Sequence, residues 1–158
     1  MKFILSMISI FAASHLFAGS DNLLSSCKPL PINEETAVLA VEKPLLMMIH
    51  NLSSSDLWIT HPVSEPSASA GWSSRIQAGR WSALALDQDK FELSCIESKP
   101  GHEQQVPCSG VIAVCSWSNV TLPAQASNTY WAGENMKLTP LLEHLGRRGF
   151  ELPFHAKE

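Results

Sequence analysis

The chain has 158 residues, carries a formal charge of −4, and is only 16% charged while 45% of its residues are hydrophobic. With no dense Lys/Arg stripe it lacks the electrostatic footprint of a nucleic-acid binder, and its length suits one domain with a substantial core.

Residues 1–18 read as a signal peptide: Lys2, an apolar run from Phe3 to Phe17, and the small residues Ala18, Gly19 and Ser20. The run is shorter than the roughly 20 apolar residues a spanning helix needs, and Ser6, Ser9, Ser14 and His15 interrupt it. Cleavage after Ala18 is expected to leave residues 19–158 as a single extracytoplasmic β-rich domain with no stable membrane span. Loss of Lys2 takes the formal charge from −4 to about −5. The expected location is periplasmic or secreted.

After Cys27, short apolar runs alternate with turn residues, the pattern of a sandwich or barrel. Strands are predicted over 36–41, 45–51 and 57–61. Ser53-Ser54-Ser55-Asp56 joins the last two as a turn, which predicts a β-hairpin. An exposed Ser/Ala/Pro loop is expected over 63–70. The Gly71–Ile76 segment runs into a Gln77-Ala78-Gly79 turn, after which Trp81, Ala83 and Ala85 alternate with Ser82, Leu84 and Leu86. Phe91, Leu93 and Cys95 alternate with Glu92 and Ser94, which predicts one dry face and one wet face. Val111–Trp117 is apolar on both faces, as a central strand is. A further strand is expected at 129–132, ending before Gly133. Thr139-Pro140 then predicts an N-cap with proline at the first helical position. The Leu141, Leu142 and Leu145 stripe follows, and Gly146 or Gly149 is the stop. The expected fold is mainly β: a small disulfide-stabilised β-sandwich with one short C-terminal helix.

Four cysteines, Cys27, Cys95, Cys108 and Cys115, predict two disulfides in an oxidising compartment. On a continuous strand Cys108 and Cys115 would stand about 23 Å apart, beyond the roughly 7 Å a disulfide allows. Two pairings remain open: Cys95 with Cys108 and Cys27 with Cys115, or Cys27 with Cys108 and Cys95 with Cys115. A Pro100-Gly101 loop that folds Cys108 back beside Cys95 favours the first.

The sequence carries no complete catalytic pattern. There is no Gly-x-Ser-x-Gly elbow, and four oxidised cysteines would leave no thiolate. Glu34-Glu35 and Asp87-Gln88-Asp89 sit in polar surroundings that suit solvated loop charges, and His-Glu-x-x-His, Cys-x-x-Cys and phosphate-binding glycine loops are absent. The reading is a non-enzyme without a cofactor. A metal site enters only as an alternative, a copper-handling one in which His50 and His61 meet diagonally across the predicted hairpin near Met47 and Met48. Asn51-Leu52-Ser53 and Asn119-Val120-Thr121 match the glycosylation sequon.

Of the five tryptophans, Trp58 and Trp117 lie in apolar runs and are expected in the core. Trp72 and Trp81 flank a polar turn with Arg75 and Arg80 between them, a combination enriched at binding surfaces. These four residues are the candidate binding surface.

Several of these stretches together resemble one family. Gly71-Trp72-Ser73-Ser74-Arg75-Ile76, Arg80-Trp81-Ser82-Ala83-Leu84, the Cys108–Cys115 segment, and Tyr130-Trp131-Ala132-Gly133-Glu134-Asn135 before a Leu-rich ending are similar, with the signal segment, to the enhanced-entry EnhB-like proteins of Legionella and its relatives. The resemblance implies a periplasmic or envelope protein associated with host-cell entry, working alongside a Sel1-repeat enhanced-entry protein. It carries no catalytic residue.

Overall fold

Among the described residues, two antiparallel sheets and one helix build the domain. The structure is a computed structural model that describes residues 24–32, 37–40, 45–60, 73–86, 90–118, 120–121, 123 and 129–153. The predicted signal peptide, Trp72, His61, the 63–70 loop, both carboxylate pairs and Asn119 of the second sequon lie outside these residues.

The strands in chain order are β1 (Lys28–Leu30), β2 (Ala37–Ala40), β3 (Leu45–Asn51), β4 (Asp56–Thr60), β5 (Ser73–Ile76), β6 (Trp81–Leu86), β7 (Lys90–Lys99), β8 (His102–Val106), β9 (Ile112–Ser118) and β10 (Tyr130–Met136), followed by α1 (Leu138–Arg147). The first sheet has the order β1-β9-β3-β6-β10 and the second β2-β7-β4-β5, with β8 paired to β7. All the pairings are antiparallel. Mainly-β architecture with one C-terminal helix is as the residue pattern predicts.

The first sheet is buried on both faces, and the alternation in β6 shows how. Leu84 and Leu86 join Met47, Ile49, Leu57, Ile59, Leu93 and Val114 in the core between the sheets. Trp81, Ala83 and Ala85 point the other way, into a second core with Leu46, Met48, Cys115, Trp117, Leu141, Leu145 and Phe150. All six β6 residues and the first six of β9 are therefore buried. The helix lies close to β10 and β6 because the strands beneath it carry small residues there. A Cβ added at Gly133 would run into the Leu141 side chain and crowd the His144 ring. Gly133 thus sits inside β10, which continues to Met136, and does not end the strand at 132 as expected.

The helix boundary also differs from its expected place. Lys137, not Thr139, is the N-cap residue, so Pro140 is the third helical residue. The first-turn N–H groups have no intrahelical acceptor to serve, so proline is tolerated throughout that turn. Gly149, at φ +87°, makes the stop, and Phe150 N–H donates back to the Leu145 carbonyl.

The disulfides are Cys27–Cys115 and Cys95–Cys108, the first of the two pairings left open. All four cysteines are paired, and such bridges belong to a chain that folds in an oxidising, extracytoplasmic compartment. One bridge lies in each core.

β3 and β4 do not form a hairpin. β3 pairs with β6 and β9, whereas β4 pairs with β5 and β7 in the other sheet. Asn51, fully buried, turns the chain between sheets. Its Nδ2 donates to the Ser55 and Ile76 carbonyls, each at 2.8 Å, and its Oδ1 accepts from Ser53 N–H at 2.9 Å. Its backbone is held as well, with N–H donating to the Arg80 carbonyl and C=O accepting from Gly79. An amide nitrogen buried in two hydrogen bonds is no glycan acceptor, so the Asn51 sequon is occupied structurally in the folded domain.

Candidate functional site

The second sheet has one face toward the inter-sheet core and one away from it. In β4, Leu57 and Ile59 are buried inward while Asp56, Trp58 and Thr60 alternate onto the outer face. Arg75 of β5 lies opposite Trp58, and Ile96 of β7 lies opposite it on the other side. Gln105 of β8 continues the row beyond Ile96. The outer face therefore carries the row Arg75, Trp58, Ile96, Gln105, with the half-buried Trp58 and Ile96 belonging to neither core.

Polar groups frame this platform. Arg75 donates from Nη2 and Nε to Asp56 Oδ2, at 2.7 and 3.1 Å. The Thr60 and Ser94 hydroxyls are 2.6 Å apart. Beyond Asp56 a polar groove of about 780 Å³ runs past Ser55, Ser98, Lys99, His102 and Glu103. The Lys99 ammonium lies 2.9 Å from a Glu97 carboxylate oxygen. The hydrogen bond from Lys99, helped by Ser55, holds the Glu97 pKa below the ordinary carboxylate value. Both groove cations thus stand beside carboxylates: the Arg75–Asp56 pair flanks Trp58 on the outer face, and the Lys99–Glu97 pair, in register with His102 and Leu57, lies at the groove end on the opposite side of the strand. The outer face suits contact with another protein, where Trp and Arg are enriched among the residues that carry affinity.

Of the four residues expected at the binding surface, the three that are described do not share one exposed face. Arg75 is exposed and stands in the outer-face row. Arg80 is half-buried in the turn before β6. Trp81 is 4% exposed and packs in the helix-side core, so it is a core residue and not a surface one. Trp72 lies outside the described residues. Trp58, expected in the core, is the tryptophan that accompanies Arg75. The burial expected of it fails because β4 belongs to a sheet that, among the described residues, has a core on one face only, whereas Trp117, in the doubly covered sheet, is buried as expected. The signal that identifies Trp58 was its period: Asp56, Trp58 and Thr60 share one face and are mostly polar.

His50 has a different partner from the one expected. Its ring stacks on Trp81 with centroids 4.1 Å apart and planes 2° from parallel. Nδ1 is buried without a hydrogen-bond partner, and burial holds the pKa below 6.5 against an opposing pull from the Gly79 backbone. His61 lies outside the described residues, so the predicted pair is not on view, and the hairpin that would have joined it is absent. Among the described residues no group of three or more His, Cys, Asp or Glu is placed to hold a metal ion. No helix among them is long and apolar enough to cross a membrane.

The depressed His50 pKa has a measurable consequence. A histidine that resists protonation when folded stabilises the fold above its unfolded pKa of 6.5, and that stability is lost as pH falls below 6.5 toward the folded value. Thermal unfolding between about pH 7.5 and pH 5 should show a falling Tm whose slope is reduced in His50→Phe, which keeps the stack on Trp81 and cannot take up a proton. Equal slopes in both proteins would mean that His50 remains as easily protonated in the fold as outside it.

The fold and this surface define a disulfide-bonded, extracytoplasmic β-sandwich with a helix layer on one sheet and an aromatic, mixed-charge face on the other. No known protein family, curated protein or solved structure matches the chain.

Proposed function

We propose that this chain is a non-enzymatic periplasmic or secreted envelope factor that supports host-cell entry by binding another envelope protein. The observation that carries the reading is the outer-face row in which Trp58 and Ile96 sit outside both cores beside Arg75. Two half-buried apolar side chains beside the Arg75–Asp56 pair are costly to leave facing water and favourable to cover. The residue pattern shared with EnhB-like proteins and the signal-peptide pattern supply the envelope setting and make a Sel1-repeat enhanced-entry protein the partner to test first.

The test is affinity capture from envelope extracts by the oxidised domain, compared with Trp58→Ala and Arg75→Ala at equal thermal stability. Binding to the Sel1-repeat partner should fall at least tenfold in Trp58→Ala and less in Arg75→Ala, whose ion pair is solvent-exposed. Absence of binding, or equal binding by all three proteins, would overturn the reading.

A further inference from the structure

β8 is the least covered of the elements whose burial is described: His102, Glu103, Gln104 and Gln105 are all exposed. It pairs with β7 in an unbroken register from Cys95↔Val106 to Lys99↔His102, and no other strand pairs with it among the described residues. Pro100 and Gly101, the latter at φ +74°, form the two-residue turn, and the Cys95–Cys108 bridge closes the base of the hairpin. The edge is thus regular and held at both ends. It carries neither a lysine nor an internal proline, the residues that commonly blunt an exposed edge.

The turn decides which backbone groups are free. In a two-residue hairpin the flanking residues, here Lys99 and His102, exchange hydrogen bonds. Alternation then turns the Gln104 and Val106 backbone toward β7 and leaves the N–H and C=O of Glu103 and Gln105 facing away. Two such residues, separated by one, are a self-complementary set. In an antiparallel pairing centred on Gln104, Glu103 meets the partner's Gln105, and Gln105 meets the partner's Glu103, through four main-chain hydrogen bonds. Side chains match as well. A Glu103 carboxylate accepts from a Gln105 amide twice by symmetry, the two Gln104 amides face each other, and no like charges stand directly opposite.

We infer that the β8 edge is a homodimerisation site, at which a second copy of this chain adds its own β8 antiparallel about Gln104. Glu103 and Gln105 stand in register with Ser98 and Ile96, so both lie on the outer face of the sheet. The row Arg75, Trp58, Ile96, Gln105 then continues into the partner's Glu103, the partner's Ser98 and the partner's Asp56. Dimerisation joins two half-sites into one surface. The inference rests on the edge alone and does not depend on what the outer face binds.

A five-residue edge buries less than a standard interface, so the dimer is concentration-dependent. Sedimentation equilibrium of the oxidised domain over micromolar to millimolar concentrations should show a monomer–dimer equilibrium. Gln105→Glu, which sets carboxylates opposite one another twice, should weaken it about tenfold, and Gln105→Lys should tighten it by a similar factor. Gln105 is exposed, and far-UV circular dichroism checks that the fold is kept in both variants. Gln104→Cys should form a symmetric intermolecular disulfide, since its Cα atoms would meet at about 4.5 Å. A protein that stays monomeric throughout, or a dimer that both Gln105 variants leave unchanged and Gln104→Cys does not cross-link, would overturn the inference.

Discussion

Replacing Asn51 by alanine is expected to cost about 3 to 5 kcal/mol of folding stability, a large share of what a domain of this size holds in reserve. The side chain is fully buried, donates to the Ser55 and Ile76 carbonyls, and accepts from the Ser53 N–H and hydroxyl; truncation strands the Ile76 carbonyl and the Ser53 N–H, while the Ser55 carbonyl keeps the Ser53 hydroxyl as a donor. Each unsatisfied buried group costs about 1–3 kcal/mol. Asn51→Asp separates hydrogen bonding from volume. The carboxylate has nearly the same shape but faces the Ser55 and Ile76 carbonyls with no proton to donate. It should be as damaging as alanine at neutral pH and less so in acid, where a protonated carboxyl regains one donor. Urea unfolding at two pH values measures both. Wild-type stability in either variant would mean that the crossover between sheets is held by something other than this amide.

The second large effect concerns the bridges, which should not be equivalent. Cys27 and Cys115 are 88 residues apart, Cys95 and Cys108 only 13. If a disulfide acts by restricting the unfolded chain, the long loop contributes about 4 to 5 kcal/mol and the short one about 3. Opening the long loop also releases the segment that covers β9, where Leu24 is buried and Ser26 Oγ accepts from Trp117 Nε1 at 3.1 Å. The double variant Cys27→Ala/Cys115→Ala should therefore lose more than Cys95→Ala/Cys108→Ala in matched urea titrations. Equal losses, or a larger loss from the short loop, would show that packing around the sulfurs outweighs chain entropy.

Much of the architecture was legible because burial leaves a period. β6 alternates large and small residues, β9 is apolar throughout, and the leucine stripe of α1 has helical spacing; each reports which neighbours cover it. β8 was missed for the complementary reason. Gln104 and Gln105 are exposed alike, so the strand carries no apolar signal and rests on its register with β7. The β3–β4 connection misled because Ser53-Ser54-Ser55-Asp56 has the composition of a hairpin turn. What makes it a crossover is Asn51, whose partners at Ile76 and Arg80 are distant in sequence. The candidate surface was half legible. Arg75 is on it, but choosing its aromatic companion required knowing that, among the described residues, one sheet has a core on both faces and the other on one, a fact of layering and not of local pattern.

The two disulfides are nested, the first cysteine with the last and the second with the third. That order governs how the protein matures. A chain threaded N-terminus first into an oxidising space presents Cys27 to Cys95 and Cys108 before Cys115 arrives, and an oxidant that joins thiols as they appear makes the Cys27–Cys95 link, which the fold cannot use. Cys27 must either stay reduced while some 90 residues follow it or be freed by attack of another thiolate on the mistaken bond. The yield of native protein is therefore set by the capacity of its compartment to reshuffle disulfides as well as to form them.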